Sequence, residues 1–504
     1  MSPHPVRSTL LAALLVLSTG CGEKEVAPSL DLVTTACAGT PPLEGVTHLR
    51  FRVTGPGLDT PRERVSTVRW TAQDVPAIPA GSGRVLEVRA YAGVPDRGGQ
   101  LRSLGRTAPF DVVEGRAASV RVFLRRLGEF APVNQASSPD ACALPRELRA
   151  GHTATPLPDG RVLFAGGYAP EADGRRPVSG TTEVFDPKEG TFTPGPDVGA
   201  RAFHTASLLP GGKVLLTGGA EALDVLSLQR TARVVDVTSG ETTTLEPKVA
   251  RYQHAVAVDV EGHVLLVGGR SAEGRAVFMM EGFDAASGRF VDVPGEMHRV
   301  DATLAVLGDG RTILVAGGSD AVRPEADVLS FVFGGDSFSR LLPVPPRLRV
   351  PRVGATVAML GRTEDGPRPL LIGGFDGVDP LNGALAVGAS EVLESVIRVS
   401  DGPTLLPRSN ACAVSLPDGR VVVLGGRGTD PGIPRATAWA ELIIPAKDAQ
   451  PSVLGLPLLP QPLVWHSCTA LPDGSVLVVG GVDDSTGEPR APREALVVMP
   501  PPRD

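Results

Sequence analysis

The chain has 504 residues, of which 42% are apolar and 21% charged, and its formal net charge is −7. This apolar content excludes a chain that is disordered throughout. At about 100–200 residues per domain, the length allows several domains or one large repeat assembly. The negative net charge, without a long run of basic residues, argues against nucleic acid as a partner, because the phosphate backbone attracts cationic surfaces.

The first residues indicate an export signal. Arg7 precedes an apolar run over residues 10–17, and small residues then lead to Cys21. This run is much shorter than the about 20 residues that a membrane-spanning helix needs. A short apolar run with a basic residue before it is typical of a signal peptide that is removed during export.

The junction between Gly20 and Cys21 resembles the signal of a bacterial lipoprotein, although Ser18 stands where that signal usually has Leu. The resemblance implies that residues 1–20 are removed and that Cys21 is lipidated. Residues 21–28 then tether the protein to the bacterial cell envelope, at the outer membrane or the cell surface, with the lipid as its only contact with the membrane. Plain secretion is the alternative.

Residues 29–127 predict a small β-sandwich. Apolar and polar residues alternate over residues 49–53, 86–90 and 118–124, which is typical of strands with one buried face. The stretch 75–93 resembles the small Ig-like or transthyretin-like modules of bacterial surface lipoproteins. We expect this domain to act as a spacer or as a second binding module.

Four cysteines follow Cys21, namely Cys37, Cys142, Cys412 and Cys468. They allow three complete disulfide pairings, and export permits disulfides. None stands in a Cys-x-x-Cys pair, which argues against a zinc site. A disulfide between Cys37 and Cys142 would fasten the sandwich to the domain that follows it; the alternative is that both are free thiols.

A unit of about fifty residues recurs from residue 149 onward. Each copy has an Arg, an apolar run, a turn, a second apolar run and a Gly-Gly pair. The seven Gly-Gly pairs are 49–56 residues apart and begin at Gly166, Gly218, Gly268, Gly317, Gly373, Gly425 and Gly480. Apolar runs such as 162–165 are too short for helices and rich in β-branched residues, so each unit begins with a predicted β-hairpin, closed by a turn such as Asp159-Gly160.

Two further short strands follow the Gly-Gly pair in the first six units, as at residues 183–186 and 191–193. Seven units of four antiparallel strands predict a seven-bladed β-propeller over residues 128–504, and an all-β fold for the whole chain. The last unit ends one strand short. We expect residues 128–132 to supply that strand and so to close the ring without an exposed edge.

The units resemble the kelch repeat, which has Arg and His before its first strand, Gly-Gly after its second, and Tyr and Trp in the later strands. The Gly-Gly pair is present in all seven units here, whereas Phe, Val or Thr replaces the Tyr and Trp. The resemblance implies a kelch-type propeller, the fold on which galactose oxidase is also built. It implies no particular activity.

The open ends of the seven hairpins converge on one rim of the predicted central channel. Six units place an Arg there, namely Arg149, Arg201, Arg251, Arg299, Arg352 and Arg408. A ring of guanidinium groups favours carboxylate or phosphate ligands. The alternative is that each Arg serves the fold by pairing with a backbone carbonyl or with an Asp of its neighbour.

The residue two positions after the Arg differs from unit to unit. Such variation is expected of a binding surface, and it is equally expected of a solvent-exposed position under no constraint. The residues at this position are Gly151, Phe203, Gln253, Asp301, Gly354, Asn410 and Trp465. One residue further on, four units have a histidine: His152, His204, His254 and His466. Four histidines near one axis suit a metal ion, but kelch units carry a His here as part of the fold. We therefore expect no metal and no cofactor.

These observations favour a non-catalytic binding protein that engages a protein or glycan at the rim. The alternative is an extracellular carbohydrate-active enzyme with Asp301 and Asp483 as acid and base. A copper radical oxidase of the galactose oxidase kind needs two Tyr ligands, one of them cross-linked to Cys, and two His. The predicted propeller has only two tyrosines, Tyr168 and Tyr252. No Cys lies in a unit from which it could be cross-linked to Tyr252.

Overall fold

A computed structural model describes residues 25–171, 173–320, 322–342, 345–363, 366–377, 387–395, 398–430, 433–446, 450–486 and 489–502. These residues form strands and turns with no α-helix; the three short 3-10 helices are Ala72–Asp74, Pro95–Arg97 and Pro210–Gly212. The predicted all-β class is confirmed. No helix in these ranges has the length and apolar character to cross a membrane. The expected signal peptide and Cys21 lie outside the described residues.

The N-terminal part is built on a six-stranded antiparallel sheet. Its strands are Arg125–Arg126, Gln100–Arg106, Gly81–Ala92, His48–Thr54 and Arg62–Thr67 in spatial order, with Phe110–Val112 paired to Gly81–Ala92. Two small pairs accompany the sheet: Glu25–Val26 with Ile78–Pro79, and Ser29–Val33 in parallel with Ser119–Phe123.

Alternation along these strands produces the N-terminal core. Leu49, Phe51 and Val53 of one strand are fully buried, as are Leu86 and Val88 of its neighbour. The small pairs contribute further apolar side chains to the same cluster. Because successive side chains of a strand point to opposite faces, one face of the sheet is apolar and is covered by this second layer.

Seven four-stranded antiparallel sheets follow in the described chain, here numbered 1 to 7. Sheets 1 to 4 are Thr153–Pro156, Val162–Ala165, Thr182–Asp186, Thr191–Pro194; Thr205–Leu208, Val214–Thr217, Ala232–Val235, Thr242–Leu245; Ala255–Val258, Val264–Val267, Met279–Asp284, Arg289–Glu296; and Thr303–Val306, Ile313–Ala316, Leu329–Gly334, Ser337–Arg340. Sheets 5 to 7 are Thr356–Thr363, Gly366–Ile372, Ser390–Ser395, Arg398–Asp401; Cys412–Ser415, Val421–Leu424, Ala440–Ile444, Ser452–Gly455; and Ser467–Ala470, Val476–Val479, Leu496–Val498, Phe130–Pro132. Small hairpins follow the Gly-Gly pairs of sheets 2 and 6, namely Ala220–Ala222 with Ser227–Leu228 and Arg427–Asp430 with Ile433–Ala436.

The seven sheets are arranged in a circuit. The first strands of consecutive sheets contact one another, and the first strand of sheet 7 contacts that of sheet 1. Sheet 7 takes its fourth strand from Phe130–Pro132, which pairs with Leu496–Val498. This confirms the predicted source of that strand. The second strands of the sheets other than sheet 5, such as Val162–Ala165, are buried along their length because neighbouring sheets cover both faces.

Six of the Gly-Gly pairs join their sheet to the next by a backbone hydrogen bond. The amide of Gly167 donates to the carbonyl oxygen of Arg201 at 2.8 Å, which links sheet 1 to sheet 2. A Cβ on the preceding residue, Gly166, would lie 2.2 Å from that same oxygen, so no side chain fits there. Equivalent bonds run from Gly219 to Arg251, Gly318 to Arg352, Gly374 to Arg408, Gly426 to Leu463 and Gly481 to Arg149.

The N-terminal part lies at the hairpin-turn end of the sheets, away from the Gly-Gly end. Arg121 bonds Glu189 at 2.9 Å, in a turn between strands of sheet 1. A cleft of about 960 Å³ separates the two parts at this place. The structure also joins Cys37 to Cys142 by a disulfide, which is the fastening that the sequence left open.

Candidate functional site

The six arginines that the sequence suggested for an anion-binding rim are buried, with exposed fractions of 0–4%. Arg251 is representative. Its Nη2 donates to Glu281 at 2.7 Å, and its Nη1 donates to the carbonyl oxygens of Gly268 and Met279 at 3.1 and 2.9 Å. The guanidinium therefore ties the ends of the second and third strands of sheet 3 together.

The same pairing recurs in the other sheets that have a Glu at this register position of the third strand: Arg149 with Glu183, Arg352 with Glu391 and Arg408 with Glu441. Sheet 7 has Leu463 in place of the Arg and Leu496 in place of the Glu. Both members of the pair are thus missing together. These arginines are buried inside the sheets and so do not form the predicted anion-binding ring at the surface.

The repeated histidines connect neighbouring sheets. The Nε2 of His204 lies 3.0 Å from Thr153 Oγ1 of sheet 1, and that of His152 lies 2.9 Å from Ser467 Oγ of sheet 7. Burial lowers the pKa of His152 to about 3, with Arg149 and His466 adding to the effect. The ring is therefore neutral at physiological pH.

The four repeated histidines do not gather into a metal site. Among the described residues, one group of His, Cys, Asp or Glu brings its ligand atoms within 4.8 Å of one another, and it consists of Asp259, Glu261 and His263. This group lies in the hairpin turn of sheet 3, where Asp259 Oδ1 accepts the His263 amide at 2.8 Å. It belongs to the turn end of the sheets and not to the rim.

The variable position of the repeat has one backbone conformation in all seven sheets. Gly151, Phe203, Gln253, Asp301, Gly354, Asn410 and Trp465 have φ values of 61°, 55°, 53°, 52°, 66°, 48° and 57°. In the described part of the chain, every non-glycine residue with positive φ is one of these. The left-handed region costs a residue with a Cβ about 1 kcal/mol or more.

Backbone hydrogen bonds link these positions around the axis. The amide of Phe203 donates to Gly151 O at 2.7 Å, and the amide of Gln253 donates to Phe203 O at 2.9 Å. The amide of Asn410 donates to Gly354 O at 3.0 Å. The structure therefore brings the predicted variable residues together at the Gly-Gly end of the sheets, and we call this end the rim.

One side of the rim is aromatic. The ring centroids of Phe203 and Trp465 are 5.4 Å apart, and that of Tyr168 lies 5.7 Å from Phe203 and 6.3 Å from Trp465. Phe203 and Trp465 are half-buried, whereas Tyr168 is buried, which raises its pKa to about 12. The Arg427 guanidinium lies 4.8 Å from the Trp465 ring and bonds Asp484 at 2.5 Å.

The other side of the rim is polar. Asn410 is exposed, Gln253 and Asp301 are half-exposed, and Arg270 bonds Asp301 at 2.9 Å. Asp483, the second carboxylate suggested for acid–base chemistry, accepts hydrogen bonds from its own loop through Ser485. Both carboxylates are therefore held by neighbouring groups.

The first strands of sheets 3 to 6 line an apolar space. Its volume is about 450 Å³, and Val256, Leu304, Met359 and Val414 lie in its wall. These four side chains carry no acid or base. The charged and hydrogen-bonding groups of this region are those at the rim.

Several rim residues were missed from the sequence, although a signal for them exists. Tyr168, Arg270 and Arg427 each follow a Gly-Gly pair directly, and each forms an isolated β-bridge with the residue before the variable position. The same bridge occurs in all seven sheets, from Ala150 with Tyr168 to Val464 with Val482. The residue after Gly-Gly is thus placed at the rim by the repeat itself.

No protein-family model matches this chain, and no curated protein matches it. Among solved structures, a fungal alcohol oxidase of the AA5 family, in complex with copper, is similar over 75% of this chain and 77% of its own, with 17% identity and a TM-score of 0.56. YjhT, a kelch-type propeller, is similar over 62% of this chain and 99% of its own, with 14% identity and a TM-score of 0.44. The similarity to the oxidase shows a propeller fold of the galactose-oxidase type and carries no information on activity.

The residues of this chain do not fit the copper site of a galactose-oxidase-like enzyme. That site needs a Tyr cross-linked to Cys, but all four cysteines in the described ranges are in disulfides, Cys37 with Cys142 and Cys412 with Cys468. Tyr168 packs in the aromatic cluster. The repeated His Nε2 atoms of sheets 1 to 3 bond hydroxyl groups of neighbouring strands.

Proposed function

We propose that the protein is an exported, lipid-anchored binding protein of the bacterial cell envelope, which engages a protein or glycan at its rim and catalyses no reaction. In this proposal the seven sheets are the blades of a closed kelch-like propeller. The N-terminal sandwich sits at the opposite end and connects to a lipid on Cys21. The cyclic contacts of the first strands and the strand at Phe130–Pro132 support the closed ring.

The observation that carries this proposal is the strain kept at the rim. Five sheets place a residue with a side chain in the left-handed conformation at this position, although Gly151 and Gly354 show that glycine fits there. Folding alone favours glycine. Strained positions that persist in this way cluster at binding and active sites.

The rim combines two kinds of contact. Phe203 and Trp465 provide half-buried apolar surface, and Gln253 and Asn410 provide amide donors and acceptors within the same ring. Arg427 adds a cation beside the indole. Aromatic anchors surrounded by polar groups are typical of surfaces that bind proteins, and aromatic rings with amides also suit sugars.

Glycine substitution at the rim tests the proposal. Phe203→Gly with Trp465→Gly keeps the left-handed backbone, as in sheets 1 and 5, and removes the apolar side of the rim. We expect the double variant to fold and to lose at least about tenfold in affinity, since anchor residues contribute about 1–2 kcal/mol or more each.

The ligand is sought on a glycan array and on an array of purified extracellular proteins, with the wild-type chain as probe. The control is Val260→Ala, which changes an apolar side chain that is 68% exposed in a hairpin turn at the far end. Unchanged binding by the double glycine variant would contradict a rim site. Cleavage or oxidation of a bound glycan by the wild-type chain would contradict the non-catalytic role.

The anchor has its own test. Expression in a bacterium that is fed a labelled fatty acid is expected to label the wild-type chain and not Cys21→Ser. A wild-type chain that is exported but unlabelled would show plain secretion instead. This result would remove the anchor and leave the rim proposal untouched.

A further inference from the structure

Sheet 2 breaks the Arg–Glu pattern by reversing a charge. In sheets 1 and 3 the glutamates Glu183 and Glu281 lie on the third strand. Each pairs across the sheet with the second-strand residue that stands two positions before the Gly-Gly pair. In sheet 2 the residue opposite Leu216 is Arg233. Arg201, which corresponds to the paired arginines of the other sheets, therefore has a second arginine where they have a carboxylate.

The hydrogen bonds of Arg201 reflect this reversal. Its Nη2 donates to the carbonyl oxygen of Val198 at 2.6 Å, and its Nε donates to that of Gly199 at 3.2 Å. Its Nη1 is buried and has no hydrogen-bond partner in the described part of the chain, and the same holds for Nε of Arg233. Arg201 as a whole is 0% exposed.

The surroundings leave the two cations poorly compensated. Asp197 is the acidic group close enough to favour the charged form of Arg201, and its Oδ1 already accepts the Gly199 amide at 2.8 Å. Burial, together with the charge of Arg233, lowers the pKa of Arg201 to about 10, so it remains protonated at neutral pH. Leaving a buried charge without a counter-charge costs several kcal/mol.

We propose that sheet 2 binds a small monovalent anion, such as chloride or a short carboxylate, between Nη1 of Arg201 and Nε of Arg233. In sheets 1, 3, 5 and 6 a Glu carboxylate balances the charge of the corresponding arginine, and in sheet 2 the anion supplies that negative charge. It supplies the acceptor that both buried N–H groups lack. A guanidinium pair suits this class because its N–H groups only donate hydrogen bonds.

Bromide is the probe, because its anomalous scattering locates it in a crystal. Crystals of the exported chain soaked in bromide are expected to show an anomalous peak within hydrogen-bond distance of both arginines. The Arg251–Glu281 pair in the same crystal is the internal control and is expected to show none. Absence of a peak at Arg201 and Arg233 would overturn the proposal.

Thermal unfolding gives a second readout in solution. When chloride replaces gluconate at constant ionic strength, the Tm of the wild-type chain is expected to rise by about 2 °C, because a bound ligand stabilises the folded state. Arg233→Glu restores the pairing of the other sheets and is expected to abolish the rise. An equal rise in this variant would refute an anion at this site.

Arg233→Leu is the second variant if Arg233→Glu does not fold, since Leu329 occupies the same register position in sheet 4. It removes one of the two donors while keeping an apolar residue that the repeat accepts. We expect the chloride effect on its Tm to fall to less than half of the wild-type rise. A full effect would overturn the proposal.

Discussion

The amide of Gly481 donates a hydrogen bond of 2.8 Å to the carbonyl oxygen of Arg149, and this bond joins the last sheet of the chain to the first. The same bond between Gly167 and Arg201 joins sheets that are neighbours in sequence. The contact that closes the circuit is thus chemically the same as the contacts that propagate it. We infer that ring closure needs no special device beyond the repeat and the strand at Phe130–Pro132.

Substitution of Gly480, the residue before the donor of this closing bond, is expected to be highly destabilising. A Cβ on Gly480 would lie 2.0 Å from the carbonyl oxygen of Arg149. Gly480→Ala is expected to lower the free energy of unfolding by more than about 3 kcal/mol, from the clash added to left-handed strain. The control is Gly240→Ala, which has φ of +78° and open space around it. Equal effects of the two substitutions in urea denaturation would contradict the contact.

The buried Arg–Glu pairs are expected to behave as units. Arg251→Leu leaves Glu281 charged and buried, and we expect a loss of about 3–5 kcal/mol. Arg251→Leu with Glu281→Leu reproduces the leucines of sheet 7 and is expected to recover most of that loss. The midpoints of chemical denaturation measure both. A single variant as stable as the wild type would show that the pair is not structural.

Acid is expected to destabilise the protein through its buried histidines. Burial lowers the pKa of His254 to about 3, whereas an unfolded His titrates near 6.5. The neutral ring therefore stabilises the fold fully above pH 6.5, and this contribution is lost as the pH falls from 6.5 towards 3. His254→Ala is expected to reduce the stability lost between pH 7 and pH 5.5 by about 1 kcal/mol. His298→Ala, which removes a half-exposed ring, is the control for the loss of an imidazole.

The disulfide of sheets 6 and 7 is expected to be coupled to His466. Cys412 stands at the position where Thr153 and Thr205 bond the histidine of the following sheet, and in the described residues no hydroxyl group bonds the ring of His466. Loss of the Cys412–Cys468 disulfide is expected to cost about 2–4 kcal/mol.

A threonine in place of Cys412 is expected to recover part of that loss. Cys412→Thr with Cys468→Ala is expected to be about 1 kcal/mol more stable than Cys412→Ala with Cys468→Ala, because the new hydroxyl bonds His466. In a His466→Ala background this difference is expected to vanish. A difference that persists there would have another origin than the histidine. Denaturant midpoints provide the comparison.

Relief of strain at the rim is expected to stabilise the protein. Gln253 has φ of 53°, so Gln253→Gly is expected to raise the free energy of unfolding by up to about 1 kcal/mol. Gly354→Ala, at the equivalent position of sheet 5, is expected to lower it by a similar amount. An opposite order would mean that the side chain of Gln253 outweighs its backbone strain.

The local features of this protein were available in its sequence. Short apolar runs, Asp-Gly turns and paired glycines predict strands and hairpins, because they depend on the conformational preferences of a few adjacent residues. The number of strands in the last unit showed that one was missing, and residues 128–132, which resemble a fourth strand, supply it. The variable position identified the rim, because every copy of a repeat occupies the same place in its sheet.

The tertiary structure decided what each side chain meets. Arg251 was expected at a ligand surface, but its direction is determined by Glu281, which becomes its neighbour only through the pairing of the second and third strands. The aromatic side of the rim joins Trp465, Tyr168 and Phe203 from sheets 7, 1 and 2, and the Cys412–Cys468 disulfide needs two first strands side by side. Such contacts depend on how the sheets pack against one another. They join residues that are far apart in the sequence, so a local pattern of residues does not predict them.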